Sequence, residues 1–202
     1  NEIPLTSSLE EYLLEFKQYL GIKIPPDGIC DGWSSEIHSD ISPWLDKASG
    51  SLIYGALLII DYMMEAHRYY RCSRDCGTII SYKNQSASPD VLEQPGQRDI
   101  TSHLCLETLA FYAEKHKWKM LGSVRQGQAL LALGLAERYY LLQKLPLNQL
   151  EVALARREAL LRLVDPASLG EFRWVAFEIN NQNPEEVLDL GLQTKFLSDL
   201  IS

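Results

Sequence analysis

The stretch "GALLIIDYMMEAHRYY", residues 55–70, decides the fold class of this chain. Its short apolar run, residues 56–60, follows a glycine and ends at an acid and a phenol, Asp61 and Tyr62. Such a run predicts a strand that is covered on both faces, as in a parallel sheet. Because ligands of open α/β sheets bind beyond the carboxyl ends of the strands, Asp61 and Tyr62 are candidates for ligand contact. The alternative is that they only end the strand and cap a turn.

Strands and helices alternate along the rest of the chain. A capping-box pattern at Ser8 and Glu11 predicts a first helix, which Gly21 ends. The alternation favours an α/β architecture, with a helical region over residues 1–50 before a sheet-forming core over residues 51–182. The remaining predicted elements are helices over residues 37–49, 105–117, 128–142 and 148–164, strands over residues 78–82, 119–124 and 172–179, a polar loop over residues 86–96, and a last short helix from Pro184.

Composition and charge exclude several classes of protein. The 202 residues are 46% hydrophobic, which is enough for a folded core. Their formal charge of −8 argues against a nucleic-acid binder that works by bulk charge. No apolar run approaches the length of a membrane span, and no signal peptide is recognisable. The chain begins at Asn1 without an initiator methionine, which we interpret as a processed or trimmed product.

The four cysteines are too sparse for a disulfide scaffold. Cys72 and Cys76 have a loosely metal-like spacing, but no second pair of Cys or His residues follows at zinc-finger spacing. We therefore expect reduced thiols in a cytosol-like compartment and no metal site.

Glycine-rich cofactor motifs are missing from the sequence. Nucleotide-type cofactor folds normally open with a strand, a glycine-rich turn and a helix, because the turn lets backbone N–H groups approach a phosphate or carboxylate. Here no glycines are arranged as G-x-G, no G-x-x-x-x-G-K occurs, and no serine lies in G-x-S-x-G. We infer that the chain lacks a cofactor cradle of its own and corresponds to the rear part of an α/β domain.

An ordered set of motifs between residues 31 and 179 resembles the C-terminal half of the MidA-like methyltransferases. That family includes the mitochondrial complex I assembly factor that methylates arginine on a protein partner. Two motifs are the most telling, the strand that ends at Asp61 and Tyr62 and the segment "PGQRDITSH" at residues 95–103. The motifs are "DGWSSEIHSDISPWLDKAS" (31–49), "GALLIIDY" (55–62), "AHRYY" (66–70), "CGTIISY" (76–82), "QPGQRDITSHL" (94–104) and "LGSVRQGQALLALGL" (121–135).

The resemblance implies a Rossmann-like fold that uses S-adenosylmethionine, with the glycine-rich donor loop in an N-terminal half outside this chain. It implies that residues 1–202 are a partial methyltransferase domain that is inactive alone and does not bind the cofactor. The final strand, residues 172–179, should run antiparallel beside residues 119–124 in a mixed sheet whose central strand is residues 56–60. The implied partner is a protein substrate, such as a respiratory complex subunit, in the cytoplasm or the mitochondrial matrix. An exposed sheet edge makes a homodimer plausible.

Three of the carboxylates inside the family motifs are candidates: Glu36, Asp61 and Asp99. Arginine methylation needs a guanidinium that is held in place, and a carboxylate can clamp it through two hydrogen bonds. The resemblance therefore makes these three the candidate catalytic residues. Glu36 has the alternative of a helix-start acid that interacts with the helix dipole. Asp99 has the alternative of an N-cap or turn acid.

Four further residues are candidates for substrate binding: Tyr62, Thr101, His103 and Gln126. The bland alternatives are packing for Tyr62, capping for Thr101, a core histidine for His103 and an ordinary polar strand end for Gln126. Arg68, Tyr69 and Tyr70 are candidates for a partner-binding lip, or simply solvated surface.

Two departures from the family pattern bear on activity. Met63 stands where the family has Gly, which alone reaches positive φ without steric cost, and Cys105 replaces an acidic or amide residue. The first hypothesis is a piece of a protein methyltransferase. The second is a non-catalytic binding or assembly module that keeps the fold, and the Met63 change favours it. A zinc or redox protein built on the cysteines is the third.

Overall fold

The computed structural model describes residues 4–181, so the helix predicted from Pro184 lies outside the described residues. The chain divides into two compact units, the first made of Asn1–Ser39 and Met63–Leu109 and the second of Asp40–Tyr62 and Ala110–Ser202. The elements in chain order are α1 (Ser7–Leu20), α2 (Ile41–Gly50), β1 (Tyr54–Asp61), β2 (Met63–Met64), α3 (Ala66–Tyr69), β3 (Ile80–Lys83), β4 (Ser86–Ser88), β5 (Asp99–Thr101), β6 (Leu104–Cys105), α4 (Leu106–Lys115), β7 (Lys119–Arg125), α5 (Gln126–Ala132), α6 (Leu135–Leu142), α7 (Leu150–Val164) and β8 (Arg173–Asn180).

The N-cap of the first helix lies two residues before the predicted cap. The side chain of Thr6, rather than Ser8, accepts a hydrogen bond from the Leu9 amide, so the capping-box prediction was wrong. Gly21 ends the helix in the left-handed conformation, at φ 66°, as predicted.

The first unit contains two small sheets. In one, β3 lies between β4 and β5 and is antiparallel to both, and in the other β2 and β6 pair in parallel over two residues. The segment Ser86–Ser88 forms β4, so the predicted loop over residues 86–96 was wrong at its start. Its small polar side chains carry no apolar alternation, which is the usual signal of a strand.

The main sheet of the second unit has the order β1-β8-β7, with both pairs antiparallel. The predicted antiparallel pairing of the last strand beside residues 119–124 is confirmed. The prediction that residues 56–60 form a central strand of a mixed sheet was wrong, because among residues 4–181 β1 pairs on one side only. Nor is β1 covered on both faces, since Leu58 is 39% exposed and Ile60 45%.

The core of the second unit lies against β8. Val175, Phe177 and Ile179 are fully buried, and the Trp118 indole, 2% exposed, donates to the Leu45 carbonyl at 3.4 Å. The helix predicted over residues 128–142 is two helices, because the chain turns at Gly134 with φ 85°.

Two properties of residues 4–181 bear on function. None of the helices there is both long enough and apolar enough to cross a bilayer. No three His, Cys, Asp or Glu side chains within that range are placed to share a metal ion.

Candidate functional site

The carboxyl ends of β1 and β7 meet at one rim of the main sheet. Because β8 is antiparallel to both, β1 and β7 run parallel to each other, and Asp61 and Arg125 both lie opposite Arg173. Tyr62 follows at the same rim, 49% exposed, with its ring centroid 4.2 Å from that of Phe172. The sheet thus places an acid and a partly exposed phenol side by side at a strand end.

The Asp61 carboxylate lies half-buried at this rim. Its Oδ1 accepts a hydrogen bond of 2.7 Å from the Tyr62 amide, which is the turn-capping role of an acid at a strand end. No hydrogen bond or ion pair to Oδ2 is seen among the described residues, although Arg173 lies directly opposite in the sheet. The carboxylate therefore keeps one oxygen for an incoming donor.

Gln126, at the end of β7, directs its amide into the protein. Its Nε2 donates to the carbonyls of Leu163 and Leu169, at 3.2 and 2.9 Å, and its Oε1 accepts from the Trp174 indole at 3.2 Å. The side chain is 8% exposed. It ties the end of α7 to β8, which leaves none of its polar atoms directed to a ligand.

In the first unit, the Glu36 carboxylate gathers four internal donors. Its Oε1 accepts from the amides of Thr78 and Ile79, at 2.8 and 2.7 Å. Its Oε2 lies 3.0 Å from the Tyr69 hydroxyl and 3.3 Å from the Thr78 hydroxyl. Four donors fill the acceptor capacity of a carboxylate, so Glu36 binds its own chain rather than an external guanidinium.

Burial and hydrogen bonding act in opposite directions on this group. Burial disfavours the charged form of Glu36, but the hydrogen bonds from Thr78, Ile79 and Tyr69 outweigh it and hold its pKa below the usual value. Burial raises the pKa of the Tyr69 phenol well above its ordinary value. The pair is therefore an ionised carboxylate beside a neutral phenol at physiological pH.

The same network reaches the backbone of His103. The Tyr69 hydroxyl lies 3.2 Å from the His103 carbonyl, and the His103 amide donates to the Thr78 hydroxyl at 3.0 Å. Glu36 and His103 are thus brought together through Tyr69 and Thr78.

His38 adds a second tie to the segment that follows His103. Its Nε2 accepts from the Cys105 amide at 3.1 Å, and its ring packs edge-on against Tyr69 at 5.4 Å. Burial lowers the pKa of His38, and the nearby charge of Glu36 acts in the opposite direction. The pKa is lowered on balance, so the neutral ring that accepts this bond is favoured.

Asp99 and Thr101 lie on β5, at the outer side of β3. Asp99 is exposed and Thr101 half-buried, and neither side chain has a hydrogen bond or ion pair among residues 4–181. Four predicted site residues, Glu36, Asp99, Thr101 and His103, belong to the first unit, and three, Asp61, Tyr62 and Gln126, belong to the second.

Sequence reasoning missed the contributions of Tyr69, Thr78 and His38. Tyr69 and Tyr70, predicted as part of a partner-binding lip with Arg68, are 0% and 3% exposed, so that prediction was wrong for both tyrosines. No apolar run could have signalled this burial, since Glu65, His67 and Arg68 interrupt the sequence between Met63 and the two tyrosines.

The strand-to-helix junction at Gly127 shows that these residues do not fit the phosphate-type cradle of a nucleotide cofactor. A Cβ at Gly127 would come within 2.9 Å of the Val164 carbonyl oxygen, so the space beside this glycine is already filled by backbone. The β7–α5 turn therefore packs the protein against itself.

Comparisons with known proteins give a family and a fold. A family model described as "Putative S-adenosyl-L-methionine-dependent methyltransferase" matches residues 2–124. The search of curated proteins found no match. The structure of an uncharacterised protein from Burkholderia thailandensis is similar, with 24% identity and a TM-score of 0.71 over 91% of this chain and 46% of that protein.

A second protein of the same superfamily from Burkholderia thailandensis was solved with bound S-adenosyl-homocysteine. It is 21% identical and has a TM-score of 0.71 over 90% of this chain and 44% of that protein. The chain thus spans less than half the length of either structure, 46% and 44%. At these identities, the likeness shows the fold.

Proposed function

The chain belongs to this family of S-adenosyl-L-methionine-dependent methyltransferases, and from that premise we propose that it is the C-terminal, substrate-side portion of a protein arginine methyltransferase. On this proposal the chain alone is inactive, and S-adenosylmethionine binds only when the missing half completes the domain.

The open edge of β1 carries the proposal. Among the described residues β1 pairs only with β8, and it exposes Leu58 and Ile60. An apolar strand with one unpaired edge is the place where a continuing sheet would add its next strand. The coverage of less than half of each solved relative, 46% and 44%, supports the same interpretation.

The rim at Asp61 and Tyr62 supplies the chemistry. A carboxylate with one free oxygen at a strand end can hold a guanidinium nitrogen and orient it toward a methyl donor. Tyr62 presents a partly exposed ring beside it. Methyl transfer would then depend on orientation in a cleft completed by the missing half.

Titration calorimetry tests the partial-domain proposal. We expect no saturable binding of S-adenosylmethionine to this chain, and saturable binding after the upstream half of the gene is restored. Low-micromolar binding by this chain alone would contradict the proposal. Transfer of a labelled methyl group by the restored protein to arginine, rather than lysine, of a protein acceptor tests the reaction.

A second candidate is a non-catalytic assembly or protein-binding module. This candidate is favoured because the side chains of Glu36 and Gln126 are hydrogen-bonded to their own chain, which removes two candidate site residues. A restored protein that captures a respiratory complex subunit, but transfers no methyl group to it, would support this candidate.

A further inference from the structure

The β3–β5 pair places an aromatic ring beside a carboxylate on one face of a sheet. Tyr82 lies directly opposite Asp99, and Ile80 lies opposite Thr101. Because side chains alternate along a strand and directly opposite residues share a face, these four side chains lie on one face, with the Cβ atoms of each pair about 4.5–5.5 Å apart. We call this set the Tyr82 face.

The other flank of the Tyr82 ring is open. On that side β4 presents Ala87, directly opposite Tyr82, and its methyl group is itself exposed. Tyr82 is 42% exposed although it lies on the central strand of its sheet. A neighbour as small as alanine leaves room for a planar group to approach the ring.

Neither polar group of the pair is used within residues 4–181. The Tyr82 hydroxyl and the Asp99 carboxylate have no hydrogen bond or ion pair in that part of the chain. Glu36, with four donors, and Asp61, with its amide donor, differ from Asp99 in this respect. Asp99 is thus a carboxylate with both oxygens available.

The cations next to this pair in sequence are engaged elsewhere. Lys83 donates to the side-chain oxygens of Gln94 and Gln97, at 2.5 and 2.9 Å, and Arg98 pairs with Glu93 at 2.5 Å. Strand alternation also puts Lys83 on the opposite face from Tyr82. The negative charge of Asp99 is therefore left for a cation from outside.

We propose that the Tyr82 face is a recognition site for the guanidinium of an arginine side chain, with Tyr82 as a specificity-determining residue. Asp99 accepts hydrogen bonds from the guanidinium, and the planar cation lies against the Tyr82 ring, an arrangement that a neutral urea group cannot replace. The choice of arginine rests on the proposed function. The site holds the acceptor chain; it does not itself transfer a methyl group.

Nuclear magnetic resonance titration of the labelled chain tests the site. The probes are an acetylated, amidated Gly-Arg-Gly peptide and the same peptide with citrulline, which has arginine's shape without its charge. We expect saturable shifts of the Tyr82 and Asp99 amides with arginine only. Asp99→Asn should weaken binding roughly tenfold, and Tyr82→Leu roughly two- to fivefold.

Two further variants separate recognition from folding. Tyr82→Phe keeps the ring and should bind as the wild type does. Tyr140→Leu removes a ring of similar exposure, 57%, which Lys144 already covers at 4.8 Å, and should leave binding unchanged. Equal shifts with citrulline, or unchanged affinity in folded Tyr82→Leu and Asp99→Asn, would overturn the proposal.

The restored protein separates this inference from the proposed function. There, Tyr82→Leu should raise KM for an arginine acceptor more than it lowers kcat. If the restored protein transfers no methyl group while the arginine peptide still binds the chain, the proposed function fails and the recognition site stands. If transfer proceeds with a KM that neither Tyr82→Leu nor Asp99→Asn changes, the recognition site fails and the proposed function stands.

Discussion

The Glu36 carboxylate joins segments that are far apart in sequence, because its oxygens accept from the Thr78 and Ile79 amides and from the Tyr69 hydroxyl. Gly77 lies so close to it that a Cβ there would overlap Glu36 Oε1, and its φ of 70° also favours glycine. A carboxylate enclosed in this way contributes mainly to the stability of the fold.

We predict that Glu36→Gln lowers the free energy of unfolding by about 2 kcal/mol, since an amide replaces a charged acceptor of several hydrogen bonds. Urea denaturation of the purified chain measures it. Asp99→Asn, at an exposed carboxylate that has no hydrogen bond or ion pair within residues 4–181, is the control and should change stability by less than about 0.5 kcal/mol.

The same pair of variants has a predictable pH dependence. Folding lowers the pKa of Glu36, so its contribution to stability is fully present above the pKa of the unfolded chain and is lost as the pH falls through the folded pKa. The stability gap between wild type and Glu36→Gln should therefore narrow in acid. A gap that widens between pH 6 and pH 3.5 would contradict the assignment.

Asp61 is the residue at which catalysis and structure separate most clearly. In the restored protein, Asp61→Asn keeps the size of the side chain and an oxygen that can accept from the Tyr62 amide, but removes the charge. We predict that methyl transfer falls by at least roughly a hundredfold, a loss of about 3 kcal/mol, with little change in Tm. A folded variant with full activity would show that Asp61 only ends its strand. Glu114→Gln, at an exposed acid of α4, is the matched control.

At the scale of elements, two glycines pack against the end of α7, Gly127 of α5 and Gly170 of the turn that follows α7. A Cβ at Gly127 would contact the Val164 carbonyl oxygen at 2.9 Å, and one at Gly170 would overlap the same carbonyl group. The two positions admit no larger residue unless the backbone moves.

Gly170→Ala should therefore destabilise the chain by roughly 2–4 kcal/mol through overpacking against backbone. Gly50→Ala is the matched control: it lies in α2 with nothing within 4 Å of an added Cβ, and it should be neutral or slightly stabilising. Thermal melts of the two variants side by side measure the difference. Equal melting temperatures would contradict the close approach seen at Gly170.

The sequence predicts the positions of the strands along the chain better than their places in the sheet. The apolar run after Gly55 and the alternation near the chain end identify β1 and β8, because strand period is a local property. The position of a strand within its sheet is not a local property. Among residues 4–181, β1 lies at the edge of its sheet and Leu58 is exposed, and no pattern within β1 predicts either fact.

The candidate site was predictable to a similar extent. Asp61 and Tyr62 were placed at a strand end by position alone, and they lie there. The partners of Glu36 could not be predicted, because Tyr69 and Thr78 reach it from segments more than thirty residues away, and which donors fill a carboxylate depends on packing.

At the scale of the whole molecule, the exposed apolar residues of β1 should make the isolated chain associate. Leu58 and Ile60 lie beside a backbone edge that no strand of residues 4–181 pairs, a combination that favours strand addition between copies. We predict a light-scattering mass that rises with concentration, and that Leu58→Lys suppresses the rise. Leu92→Lys, at an 80% exposed leucine of the first unit, should leave the rise unchanged. A constant monomer mass at high concentration would count against the open edge.

Because β8 lies between β1 and β7, the order of synthesis determines when the main sheet can form. β1 and β7 each pair with β8 and not with each other, so both leave the ribosome before their common partner exists. Until Arg173–Asn180 emerges, a nascent chain carries two strands that each lack their β8 partner. The sheet then closes in one late step, through contacts that join Tyr54 to Asn180. A premature stop just before β8 would therefore remove the strand that joins β1 to β7, and translation itself exposes the chain to chaperones until this last strand is made.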